Sequence, residues 1–154
     1  MKIALVSPYD FTWPGGVTAH ISELSRHLVQ NGHNVKILAP YSSTRGLPPD
    51  IDFIPLGKSV PVPAGGSTAR LTFSVWIHRK VSKILKQENF DVIHLHEPLM
   101  PFLPLSVLRS SKSVNIGTFH AVHGKFRNYG WSHHLLRYWF NKLDGLIAVS
   151  PAAA

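Results

Sequence analysis

Residues 2–39, KIALVSPYDFTWPGGVTAHISELSRHLVQNGHNVKILA, decide the fold class. Ile3 to Val6 and Val35 to Ala39, the second interrupted only by Lys36, are short apolar runs, the pattern of strands buried on both faces. Between them Val17, Ile21, Leu24 and Leu28 recur at helical spacing, and Gly32 follows as a C-terminal cap before Asn34 opens the next strand. This is one β-α-β unit. Four further apolar runs repeat the strand pattern: Phe53 to Leu56, Val92 to Leu95, Val114 to Phe119 and Leu146 to Val149. Helices are expected at about 70–87, 103–111 and 131–143. Alternation of this kind predicts an α/β domain, a Rossmann-like parallel sheet with helices on both faces. The stretch from Tyr41 to Pro63, rich in proline and serine around the third strand, is expected to be an irregular surface excursion.

The chain has 154 residues, enough for one domain with a substantial core, and at 44% hydrophobic and 16% charged its composition is that of a folded protein. It contains no cysteine, which excludes disulfides and thiolate metal sites. No apolar run approaches the ~20 residues of a membrane span, and the opening run is too short for a signal peptide, so a cytoplasmic location is expected. At the other end Ser150 and Pro151 open what reads as the first turn of a helix, and one turn is not stable alone. The sequence therefore reads as the front part of a longer protein.

Three groups of residues carry chemistry. Pro14-Gly15-Gly16-Val17 runs from the first strand into the first helix, where a bare backbone and unpaired amides would suit a diphosphate. A tight turn needing glycine is the other reading of the pair. The spacing is not G-x-G-x-x-G, and Ala39-Pro40 stands where an acid would close the second strand of a dinucleotide site, so a nicotinamide or flavin oxidoreductase is disfavoured. Second, the ten histidines include His94 and His96 beside Glu97, ending the fourth strand on one side of it, and His120 ending the fifth. This is where open parallel sheets place ligands. His120 with His123 offers a metal pair on paper, but strand-terminal histidines commonly hydrogen-bond, and no metal is expected. His133 and His134 fall in a helix as a solvated pair.

Third, the net charge of +8 is concentrated in two windows without acids, 53–87 and 98–143. On the helix expected from residue 70, Phe73, Ile77, Val81 and Ile84 share a face while Arg79, Lys83 and Lys86 lie opposite, with Trp76 and Lys80 at the border. Tryptophan beside lysine suits an anionic membrane surface, against the alternative of a plainly solvated face. No nucleic-acid recognition motif accompanies the charge.

Together the segments SPYDFTWPGGV, NGHNVKILAP, HLHEP and GTFH resemble the amino-terminal half of family 4 retaining glycosyltransferases of the GT-B fold. Gly57 to Pro63 and Ser67 to Leu71 most resemble the loop before the basic helix of the phosphatidylinositol mannosyltransferases in that family. The resemblance implies that residues 1–154 are the acceptor-side domain, without the carboxy-terminal domain that holds most of the donor, and that the piece is inactive alone. It implies a nucleoside diphosphate sugar as donor substrate, GDP-mannose or a UDP-sugar, with no bound cofactor, and a lipid-linked or polar acceptor at the inner face of the cytoplasmic membrane. By the same likeness Gly15 and Gly16 approach the donor diphosphate and His120 is catalytic, beside the reacting sugar. Tyr9, Thr18 and Lys125 would bind the acceptor head, and Trp76, Arg79, Lys80 and Lys83 would meet the membrane. Trp13 and Thr18 stand where those mannosyltransferases carry a carboxylate and an amide, which weakens hydroxyl recognition at that point. The reading from a different class is a non-catalytic module that binds anionic lipid or sugar phosphate through the basic helix.

Overall fold

The computed structural model describes residues 1–43, 47, 49–64, 67–74, 76–120 and 133–150, and of 64, 67 and 133–136 the backbone alone. All six expected strands are present: β1 (Lys2–Val6), β2 (Asn34–Tyr41), β3 (Phe53–Lys58), β6 (Val92–His96), β7 (Val114–Phe119) and β8 (Gly145–Ala148). They form one parallel sheet in the order β3-β2-β1-β6-β7-β8. The order reverses between β1 and β6, which is where such sheets open a crevice at their carboxyl ends.

Alternation along β1 explains the unbroken apolar runs. Ile3 and Leu5 point to a core shared with Phe11, Ile21, Val35 and Ile37, against which Val17, Leu24 and Leu28 of α1 (Gly16–Gln30) pack. Ala4 and Val6 point the other way, into a core with Ile77 and Val81 of α2 (Ile77–Glu88) and Leu103, Val107 and Leu108 of α3 (Leu103–Ser110). Helices therefore cover both faces of the central strands, whereas β8, expected from its apolar run to be buried, is exposed at the sheet edge, with Leu146 59% and Ile147 46% accessible. α4 (His133–Phe140) precedes β8. Past the end of α1, Gly32 takes φ +79°, the left-handed conformation expected of it.

Two expectations are corrected here. The helix expected from residue 70 begins at Ile77, and residues from 60 onward are not irregular. Instead β4 (Val60–Ala64) and β5 (Ser67–Leu71) form an antiparallel hairpin, with Pro61 opposite Arg70 and Val62 opposite Ala69. The prolines of β4 cannot donate to a ladder, so the ribbon stays two-stranded. Its outer strand is tied back to the β1–α1 loop by a bridge between Tyr9 and Leu71 and by the Asp10 amide donating to the Arg70 carbonyl at 2.9 Å. The ladder to β4 and this long-range tie, both absent from the spacing of apolar residues, make 67–71 a strand.

Candidate active site at the carboxyl edge of the sheet

The β1–α1 loop is held by Asp10, which is 1% exposed. Its carboxylate accepts from the Thr12 amide at 2.9 Å, from the Thr12 hydroxyl at 2.6 Å, and from Ser59 just ahead of the hairpin. Burial pushes the Asp10 pKa up, but the hydrogen bonds from Ser59, Thr12 and Ser42 outweigh it and leave the group below its ordinary value. The ionised form is thus the one the fold prefers. Its contribution is full above the ordinary carboxylate range and is lost as pH falls through the lowered folded-state value. Asp10→Ala should cost about 2 kcal/mol, since three donors lose one charged acceptor. Urea unfolding at neutral pH measures this, and the deficit should shrink on acidification. A neutral-pH stability equal to the parent's would show that Asp10 holds nothing.

Beyond Asp10 lies a cleft of about 430 Å³, lined among others by Tyr9, Trp13, Gly15, Gly16, Thr18 and Arg70. Trp13 is 53% exposed, and the Arg70 guanidinium lies 4.2 Å from the centroid of its ring, a cation–π contact that sets one wall. The Thr18 hydroxyl donates to the Gly15 carbonyl at 2.8 Å, so its proton is committed within the loop. Burial, then the nearby Glu97 carboxylate, raise the Tyr9 pKa and keep its phenol protonated.

Neither glycine of the Gly15-Gly16 pair is there for a turn. Gly15 has φ −172°, extended backbone open to any residue, and Gly16 is the first residue of α1. A Cβ on Gly16 would meet nothing within 4 Å, and one on Gly15 only the Thr18 hydroxyl at 3.6 Å. The bare backbone instead faces open space at a helix start that has no side-chain cap and no acid in its first turn. Such an end attracts anions.

Four imidazoles sit beside it. His94 and His96, on the α1 side of β6, stack with ring centroids 4.6 Å apart. His96 Nδ1 and His120 Nε2 are 2.8 Å apart, and the His120 amide donates to Glu97 Oε1 at 2.7 Å. His20, from the first turns of α1, meets the His120 ring edge-on at 5.1 Å. Burial first, then neighbouring imidazoles, push His94 down to about 4 and His96 to about 2, so both rings are neutral at pH 7. Burial and His20 also lower His120. His20 escaped the sequence reading. Its signal was its position four residues after Gly16, on the same helix face.

Ring nitrogens of His20, His96 and His120 lie within 4.8 Å of one another, a spacing that could admit a divalent transition metal. A ligating histidine normally gives its second ring N–H to an acceptor, whereas His96 Nε2 is buried without a partner. The cluster therefore suits hydrogen bonding better than ligation. Lys125 and His123 lie outside the described residues.

On α2, Ile77 and Val81 are buried as expected, while Trp76, ahead of the helix, is 66% exposed with Arg79 5.2 Å from its ring centroid. Phe73 does not join that buried face: it is exposed and packs edge-on against Phe102. Lys80 is exposed and donates to the Pro55 carbonyl at 2.8 Å, while Arg79, Lys83 and Lys86 stand around a shallow basin beside it. Among the described residues, none of these four bases is in an ion pair, and no helix is long and apolar enough to cross a membrane.

Residues 14–154 match the Glycosyltransferase Family 4 model. The chain belongs to that family. Over 153 residues it is 40% identical to the phosphatidyl-myo-inositol mannosyltransferase of Mycolicibacterium smegmatis, a match covering 99% of this chain and 39% of that relative. The chain thus spans about two-fifths of the length of the curated relatives it matches. Among solved structures, the fold is similar to sucrose-phosphate synthase from Thermosynechococcus elongatus (TM-score 0.63, 14% identity, 97% of this chain and 42% of that one). It is also similar to MurG from Acinetobacter baumannii (TM-score 0.59, 12% identity, 99% and 43%). The Rossmann-like parallel sheet is that of GT-B glycosyltransferases.

Proposed function

We propose that this chain is the acceptor-side domain of a retaining glycosyltransferase that moves a hexose from a nucleoside diphosphate sugar to a lipid-linked acceptor at a membrane surface. The observation that carries this reading is the Gly15-Gly16 pair. The fold has no steric need of glycine there, and the pair leaves an uncapped helix start bare beside His120. A departing diphosphate is stabilised by just such amides, whose partial charge is fixed before the reaction begins. His120 packs against His20, which stands one helix turn after Gly16, and there a ring N–H can bond the sugar undergoing transfer. Tyr9, Thr18 and Lys125 serve the acceptor head in this reading, with Arg70 supplying positive charge to the same cleft. The name of the mycobacterial relative supports mannose, hence GDP-mannose, and an inositol phospholipid acceptor. Trp13 in the cleft wall favours an acceptor that presents a ring face as well as hydroxyls.

Trp76, Arg79, Lys80 and Lys83 hold the domain on anionic lipid, peripherally and on the cytoplasmic side. With each basic side chain worth about 1 kcal/mol near such a surface, replacing Arg79, Lys80 and Lys83 by serine should weaken binding to phosphatidylglycerol-containing vesicles about 100-fold. Sedimentation with anionic and neutral vesicles, at low and physiological salt, measures this beside a calorimetric titration with GDP-mannose. Salt-sensitive vesicle binding with weak nucleotide binding is the expected pair of results. Equal vesicle binding by the triple variant removes the membrane role, and tight nucleotide binding by this chain alone overturns the acceptor-side assignment.

A further inference from the structure

The short contact between His96 and His120 has two possible polarities, and the surroundings of His96 choose between them. Exactly one ring proton lies between His96 Nδ1 and His120 Nε2, 2.8 Å apart, when both rings are neutral. If His120 donated it, the proton of neutral His96 would sit on Nε2, which is buried and has no partner. If His96 donates it, the buried Nε2 carries only a lone pair. An orphaned N–H is the rarer and costlier defect in a protein interior. The third arrangement, a charged His96 with protons on both nitrogens, is opposed by its complete burial and by the neighbouring imidazoles of His94 and His20.

We infer that His96 is a positioning residue: its Nδ1–H donates to His120 Nε2 and so fixes His120 as the neutral Nδ1–H tautomer, a hydrogen-bond donor toward the site. This rests on the proposed function only in giving His120 a sugar to meet; the tautomer itself is a property of this chain. Among the described residues nothing bonds His120 Nδ1, so that N–H is left for a ligand. The arrangement differs in kind from a histidine backed by a carboxylate, where the anion stabilises an imidazolium and makes a general base. Here the ring behind His120 is neutral. The carboxylate of Glu97 takes the His120 backbone amide at 2.7 Å. His120 is therefore built to donate a hydrogen bond with a fixed proton, not to pass one along.

Free histidine favours the Nε2–H form, so the assignment goes against the default and is directly visible. Ring nitrogen–proton correlation spectra of the ¹⁵N-labelled chain at neutral pH should show His120 as Nδ1–H. In His96→Phe, with the amide spectrum confirming the fold, His120 should revert to mainly Nε2–H. Thr118→Val, which removes the 2.6 Å partner of His94 Nε2, should leave His120 unchanged. A native His120 that is Nε2–H, or charged at neutral pH, overturns the inference whatever the variants do. A His120 tautomer unmoved in folded His96→Phe also overturns it. No sugar enters the measurement, so its failure is separate from failure of the glycosyltransferase reading.

Discussion

In a protein that joins this chain to the carboxy-terminal part of its Mycolicibacterium smegmatis relative, exchange of His120 for alanine is expected to lower turnover on the order of 10²-fold, roughly the effect of misplacing a reacting group. The expectation follows from where the ring is held. Its amide is fixed on Glu97, its Nε2 on His96, and its ring packs against His20, so on the proposed reading its remaining N–H would meet a bound sugar with little reorganisation. Because the loss belongs to the transition state, kcat should carry it while the KM for the donor changes little. The fold should survive. His120 is only half-buried, and its removal leaves one neutral donor on His96 unpaired, at a cost of about 1 kcal/mol. Steady-state kinetics on the hybrid and its variant, after the parent hybrid has been shown to transfer sugar, provide the check. Wild-type turnover in the variant would remove His120 from the chemistry and leave the imidazole cluster a structural element.

How much of this was legible in the sequence depended on the distance over which each feature is decided. The six sheet strands are local: an apolar run buried on both faces looks alike wherever it falls, and β1, β2, β3, β6, β7 and β8 were all found within a few residues. The period-2 rule placed His94 and His96 on one side, and their rings do stack. The hairpin has no such apolar run. Val60-Pro61-Val62-Pro63 looks like a loop, and the helical spacing of Phe73, Ile77 and Val81 can be extended backward over 70–72. The ladder from β5 to β4, together with the bond from the Asp10 amide to the Arg70 carbonyl sixty residues away, decides that this segment is a strand. Asp10 was overlooked for the same reason. In sequence it is one acid in a turn, and its meaning appears only when Ser59 arrives at its second oxygen. The glycine pair shows the converse. Its two readings could not be separated until the backbone angle and the empty space at each Cβ were known.

Among the described glycines, the position where a single methyl group should do most harm is Gly57. Its φ is +86°, which an L side chain adopts at a cost of about 1–2 kcal/mol. An added Cβ would lie 2.4 Å from Thr72 Oγ1 and 3.2 Å from Thr72 Cβ, and overpacking of that kind costs about 1–3 kcal/mol more. Thr72 is 2% exposed, so it has nowhere to withdraw. Gly57→Ala should therefore lose about 3 kcal/mol in urea unfolding. Gly32 provides the comparison, for it has φ +79° but nothing within 4 Å of an added Cβ, so Gly32→Ala should show the backbone part alone. The difference between the two variants is the packing term. Thr72→Ala tests that term independently. Its hydroxyl is buried without a partner, so removing it should cost little by itself and should recover part of the Gly57→Ala loss when the two are combined. Gly57 is the penultimate residue of β3, just ahead of the hairpin that sets Arg70 over Trp13 and Leu71 against Tyr9, so the displaced ribbon would also reshape the cleft between them. If Gly57→Ala proved no worse than Gly32→Ala, the close approach of Thr72 would not be what makes glycine necessary, and the placing of the hairpin would rest on its bonds to the β1–α1 loop and not on this packing.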